Sequence, residues 1–133
     1  MRQLDDGFFV SGQIQPDDVS ALAAQGIRTI INNRPDGEGP GQPTGEEIAA
    51  AAEAAGLAYR AIPITQLEPG AVAATAEALS ESERPILAFC AAGTRSTYLW
   101  ALACSSQGVD ADGLVQQAAA AGVDLTPIRR FMR

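Results

Sequence analysis

Ile86-Leu87-Ala88-Phe89-Cys90-Ala91-Ala92-Gly93-Thr94-Arg95-Ser96 is the stretch that decides the fold and points to the chemistry. Its first four residues are all apolar and of strand length, which fits a central strand buried on both faces. A short Gly-containing loop follows, and then a helix through Trp100 to about Gln107. This order puts Cys90 at the carboxyl end of a buried strand, where open α/β sheets usually carry their sites. The loop, Ala91 to Ser96, ends on a helix N-terminus, so its backbone N–H groups converge into an anion cradle. The same field lowers the pKa of Cys90 and holds it as the nucleophilic thiolate. Arg95 adds a planar fork that grips two oxygens of a bound anion. The Ser96 hydroxyl is placed to hydrogen-bond the thiolate or to stabilise it as it leaves.

Outward from this segment, short β-like runs alternate with helical ones. Phe8-Phe9-Val10 reads as a first strand. Pro16 to Gln25 reads as a helix stopped by Gly26, and Ile27 to Asn32 as a β-branched strand. Thr44-Gly45-Glu46-Glu47 is a capping box that opens an Ala-rich helix ending at Gly56. Leu57 to Ile64 is another strand, and Pro69 starts a helix to about Ser82. Asp110 caps a helix that ends at Gly122, and Thr126-Pro127 opens a last helix running to the Arg-rich end. The expectation is one α/β domain over residues 1–133, with a mixed or parallel sheet of four to five strands flanked by helices.

The composition removes much chemistry. The chain has 133 residues, no His, sixteen acids and nine cations, and every cation is Arg. A Ser-His-Asp triad, a Cys-His dyad, His-ligated zinc, the Walker lysine and a Schiff-base lysine are therefore impossible. A net charge of −7 argues against nucleic acid or anionic membrane as a general partner. Two cysteines are too few for a disulfide framework or a Cys₄ zinc site. Neither a metal nor a cofactor is implied. The polar, acidic start Met1–Asp6 carries no apolar leader, no run is long enough to span a membrane, and the default compartment is the cytoplasm. Cys104 lies ten residues beyond Thr94, about 15 Å along a helix axis, and reads as core packing.

The long loop NRPDGEGPGQP, residues 33–43, supplies further candidates because it also leaves the carboxyl edge of the sheet. Arg34 is either a second cation facing the anion or a surface partner of Asp36. Asp36 and Glu38 are possible acids, although Pro35-Asp36-Gly37 is ordinary turn chemistry, which is the simpler role for Asp36.

The residues also carry resemblances. CAAGTRS has the C-x4-R spacing and Gly-x-Arg-Ser tail of a rhodanese loop, one residue shorter than the C-x5-R usual in cysteine phosphatases, and Phe89 stands where those commonly have His. DDGFFVSGQIQPDDVSALAAQGIRTIINNRPD resembles the start of dual-specificity phosphatases, and GLAYRAIPI resembles their next strand. From Phe8 to about Arg130 the chain looks like the phosphatase-like domain of the beta-lactamase hydrolase-like proteins, with their INNRPDGE-type loop and CxxGTRS loop. That resemblance implies a cysteine-phosphatase-like fold. It also implies, as a possible partner, a metallo-hydrolase of sulfide metabolism, to which such domains can be joined.

Two departures stand out. The loop after the third strand, Ile64-Thr65-Gln66-Leu67-Glu68, lacks the general-acid Asp that dual-specificity phosphatases carry there, and Glu68 is the nearest acid. Ala91 and Ala92 follow the cysteine where many rhodaneses have a basic residue. Three functions are weighed on these grounds: a cysteine-dependent phosphatase-like hydrolase, a sulfurtransferase carrying a persulfide on Cys90, and a non-catalytic oxyanion-binding module. The substrate in each case is a small oxyanion or a sulfur compound.

Overall fold

A four-residue strand with no polar side chain must be covered on both faces, and Ile86–Phe89 is buried throughout, at the centre of a sheet. The computed structural model describes residues 1–132. In chain order they form β1 (Arg2–Asp5), β2 (Phe8–Ser11), α1 (Val19–Ala24) after a 3-10 turn at Pro16–Asp18, β3 (Thr29–Asn32), α2 (Gly45–Ala55) and β4 (Ala58–Ala61). Then come α3 (Pro69–Glu81), β5 (Ile86–Phe89), α4 (Thr94–Ser106), α5 (Ala111–Ala120) and a terminal 3-10 helix at Thr126–Phe131. The strands lie in the order β1-β2-β5-β3-β4. Only β1 is antiparallel to its neighbour; β2, β5, β3 and β4 pair in parallel. The sheet is mixed, as expected, and its parallel strands all end on the same edge.

Alternate side chains of the central strands feed two cores. Ile31, Ile86 and Ala88 face one side, where they pack with residues of α3, α4 and α5. Ile30, Leu87 and Phe89 face the other, against Val19, Leu22, Ile48 and Ala52. Helix α4 lies in the thicker layer and is buried almost all round from Leu99 to Ser105. Cys104 belongs to that core, as its spacing predicts.

Caps were largely readable. Thr44 Oγ1 accepts from Glu47 N at 3.2 Å, and Asp110 Oδ2 accepts from Gly113 N at 3.2 Å. Three expectations need correction. Met1–Asp6 is not a mere polar lead-in: Arg2–Asp5 forms an edge strand whose backbone pairs with β2, and only Leu4 is apolar enough to mark it. The strand read as Leu57–Ile64 is regular over Ala58–Ala61 alone. The last helix is a 3-10 helix rather than an α-helix; Arg133, in the Arg-rich end assigned to it, lies outside the described residues.

Trp100 ties the edge strand to the helix behind the cysteine loop. It is fully buried, its ring stacks on Phe8 at a centroid distance of 6.4 Å, and its Nε1 donates to Asp5 Oδ2 at 3.0 Å. Trp100→Ala should lower unfolding stability by about 3–5 kcal/mol, while Trp100→Phe, which keeps most of the ring volume, should cost less than half of that. Urea unfolding followed by far-ultraviolet circular dichroism measures both.

Candidate active site

Cys90 directly follows β5 and is only 1 % exposed, so its sulfur forms the floor of the site. The chain turns sharply after it, with Gly93 at φ 95°, a left-handed conformation that favours glycine. Helix α4 begins at the next residue and aims its N-terminus at the sulfur. Gly93 N donates to Cys90 Sγ at 3.1 Å. Burial alone would push the Cys90 thiol up, but hydrogen bonds from the backbone N–H groups of Ser96, Ala92 and Gly93 outweigh it and hold the pKa below the ordinary thiol value. The converging loop N–H groups read from the sequence meet at the sulfur.

The turn is braced from behind by the end of β2. Gln13 N donates to Ala91 O at 3.4 Å, and a Cβ on Gly12 would lie 2.9 Å from that oxygen. Glycine is required there by close approach of two backbones. This gives a physical reason for the Ser11-Gly12-Gln13 sequence, which pattern alone left unexplained.

Ser96 is buried, and its Oγ donates to Asn33 Oδ1 at 2.7 Å. The Asn33 side chain in turn donates through Nδ2 to Ile62 O at 2.9 Å, while its backbone joins Phe89 O and Ile64 N. Asn33 thus fastens the ends of β4 and β5 to the first turn of α4. Sequence reasoning missed it; two consecutive asparagines closing a β-branched strand were the available signal.

Arg95 stands at the rim. Its Nη1 donates to Glu38 Oε2 at 2.7 Å and to Ile64 O at 2.8 Å, and its Nη2 donates to Glu38 Oε1 at 2.9 Å. The Glu38 contact raises the Arg95 pKa despite burial, and the Cys90 sulfur, which the guanidinium also faces, adds to the effect. Arg34 Nε holds the same carboxylate at 3.0 Å, and Arg34 Nη1 donates to Gln13 Oε1 at 3.1 Å. The hydrogen bond from Arg95 is the main reason that the Glu38 pKa falls to about 2, with Arg34 reinforcing it.

The structure therefore gathers Cys90, Gly93, Arg95, Ser96, Arg34 and Glu38 at one sheet edge, with Ala91, Ala92 and Thr94 exposed on the loop. Asp36 turns away to the start of α2, accepting from Gly45 N at 2.8 Å, a contact nine residues along the chain and not one within the Pro35-Asp36-Gly37 turn. Arg34 pairs with Glu38 rather than with Asp36. Glu68 lines a separate groove with Leu67, Val72, Leu102 and Phe131. Among the described residues no group of three or more acidic or cysteine side chains could hold a metal, and no helix is long and apolar enough to cross a membrane.

The two thiols should titrate far apart. Cys104 is pushed up to about 11, chiefly by burial and then by Asp5. Thiolate absorbance should give a midpoint below that of an ordinary thiol for Cys90 in a Cys104→Ala protein and one at about 11 for Cys104 in Cys90→Ser. The stability signs are opposite. The depressed Cys90 contributes stability that is full above the ordinary thiol pKa and is lost as pH falls through its folded pKa. The raised Cys104 contributes stability that is full below the ordinary value and is lost as pH rises through about 11. Gly12→Ala should displace the Ala91 carbonyl and weaken phosphate binding at least tenfold, about 1.4 kcal/mol, by isothermal titration.

Comparison with known proteins agrees with this geometry. A Neisseria meningitidis protein, suggested to be a phosphatase, superposes with a TM-score of 0.84 at 33% identity, covering 97% of this chain and 93% of its own. Tk-PTP in its active form shares the fold with a TM-score of 0.67 at 16% identity, over 97% of this chain and 90% of its own. A beta-lactamase hydrolase-like protein of Agrobacterium fabrum is 36% identical over 117 residues, which is 86% of this chain and 26% of that protein. The chain thus spans about a quarter of the length of the curated relatives it matches. Residues 1–108 match the family model for the phosphatase-like domain of beta-lactamase hydrolase-like proteins, and the chain belongs to that family, with a protein tyrosine phosphatase fold.

Proposed function

We propose that this domain hydrolyses phosphate monoesters through a thiolate on Cys90. The observation that supports the reading most is the sulfur itself, which is buried, held below its ordinary pKa and ringed by backbone donors at the start of α4. In the first step the thiolate attacks phosphorus, an S–P bond forms, and the P–O bond to the leaving group breaks. The leaving oxygen keeps the electron pair and takes a proton from solvent. Water then attacks the phosphocysteine, releasing inorganic phosphate and restoring the thiolate. The loop amides and Arg95 stabilise the charge that builds on the phosphoryl oxygens.

The weak point is the proton for the leaving group. Glu38, with a pKa of about 2, is ionised at neutral pH and has none to give. Asp36 is engaged at the start of α2, and Glu68 sits in a groove with α3 and α4 residues. General acid catalysis is typically worth about 10²–10⁴-fold, and its loss weighs most on poor leaving groups. The preferred substrates are therefore phosphate esters whose alcohols leave unaided, aryl phosphates above all. Similar proteins are described as phosphatases, which does not favour the persulfide-carrying alternative. A partnership with a metallo-hydrolase of sulfide metabolism is a proposal for the longer relatives' remaining length.

Purified protein should hydrolyse an aryl phosphate weakly but measurably and an alkyl phosphate at least about a hundredfold more slowly. Cys90→Ser should abolish turnover, and Arg95→Lys should recover only part of the phosphate affinity lost in Arg95→Ala. Phosphate binding without turnover of any ester would make the domain a non-catalytic oxyanion module. A persulfide on Cys90, with no ester hydrolysis, would move it to sulfur transfer.

A further inference from the structure

Cys90 is followed by two alanines, so the loop brings no cation of its own before Arg95. A cation does reach this part of the loop, from β1, two strands away in the same sheet. The Ala92–Gly93 peptide is trans, so its N–H and C=O point in opposite directions. Its N–H donates inward to Cys90 Sγ at 3.1 Å. Its carbonyl accepts from Arg2 Nη2 at 2.9 Å. Arg2 belongs to β1, ninety residues away in the chain, and its Nη1 donates to Ala121 O at 3.0 Å, at the carboxyl end of α5.

We propose that Arg2 is a positioning residue for the cysteine loop: anchored on the end of α5, it grips the outer carbonyl of the 92–93 peptide and so holds the inner N–H on the Cys90 sulfur. The inference rests on the reading of Cys90 as a working thiolate. Two physical effects carry it. Hydrogen bonds in a chain polarise one another, so a guanidinium on the carbonyl strengthens the N–H of the same peptide as a donor. The second effect is orientation. Gly93 has no Cβ and tolerates either sign of φ, so nothing in its own covalent structure stops this peptide from turning over. A turned peptide would present its carbonyl oxygen to the thiolate and undo the cradle. Arg2 opposes that turn, and it fills the space a side chain at position 93 would need: a Cβ there would lie 2.5 Å from Arg2 Nη2.

The anchor is suited to a cation. The last carbonyls of α5 carry the negative end of the helix, and Ala121 O is one of them. The other charged groups at the sulfur, Arg95 with Glu38 and Arg34 behind it, approach from α4 and the 33–43 loop. Arg2 is thus a charged support on the β1 side, where the preceding carbonyl, Ala91 O, accepts from the neutral backbone N–H of Gln13.

The test reads the sulfur and the anion separately from turnover. In a Cys104→Ala background, Arg2→Ala should raise the Cys90 thiolate midpoint by about one pH unit. It should weaken binding of inorganic phosphate about tenfold, about 1.4 kcal/mol. Arg2→Lys should recover part of both, since a single ammonium cannot bridge both carbonyls with the guanidinium geometry. Arg2→Gln, which offers a donor without charge, should fall between Arg2→Ala and Arg2→Lys. An unchanged midpoint and phosphate affinity in Arg2→Ala, with only a lowered unfolding midpoint, would make Arg2 a simple staple between β1 and α5 and overturn the proposal. If Arg2→Ala does not fold, Arg2→Gln and Arg2→Lys decide: identical parental midpoints in both overturn it. Midpoint shifts in a protein that hydrolyses no phosphate ester would sink the phosphatase reading and leave the Arg2 link standing.

Discussion

A thiolate at a site that is 1 % exposed has to be solvated by the protein, because water cannot reach round it. That requirement organises this edge of the molecule. The N–H groups of Ala92, Gly93 and Ser96 replace the missing water around Cys90. They converge only because β5 ends, the chain turns through Gly93 and α4 starts within four residues. Each inward N–H commits a carbonyl to the outside, and the two in the turn find partners in Gln13 N and Arg2. The residues just past β2 and Arg2 of β1 therefore brace the loop, although neither contributes a side chain to its floor.

The packing supports the same geometry. Helix α4 is held on nearly every side between α3, α5 and the sheet, so its first turn has little freedom to drift from the strand it follows. Asn33 locks that turn to the ends of β4 and β5 with all of its hydrogen-bonding groups in use. A preorganised cradle of this kind needs no reorganisation when charge develops at its centre.

Much of this was legible in the residues. An apolar run, a Gly-containing turn and a helix start place Cys90 and its loop from local rules alone, and the four parallel strands follow from strands alternating with helices, whereas the fifth, β1, does not. What sequence reasoning missed lies in long-range pairing. Arg2–Asp5 has no alternating pattern and becomes a strand because β2 offers it a backbone edge. Gly12 is needed because the carbonyl it meets belongs to Ala91, far along the chain. Glu38 looked like a spare acid, and only the fold shows two guanidinium groups closing on it. Spacing along a chain predicts neighbours within one element; it carries no information about which carboxylate a distant arginine will meet.

That meeting has a consequence for how the site handles ligands. The face of Arg95 that a phosphate would take by its two Nη groups is already occupied by Glu38, an anion tethered to the same molecule. The resting domain in effect carries its own competitor, present at the high effective concentration that tethering gives. An arriving oxyanion sees an affinity reduced by the fraction of time the fork is taken, and a departing one is helped out by the carboxylate returning. Such a site gives up tight retention of an oxyanion in exchange for ready release.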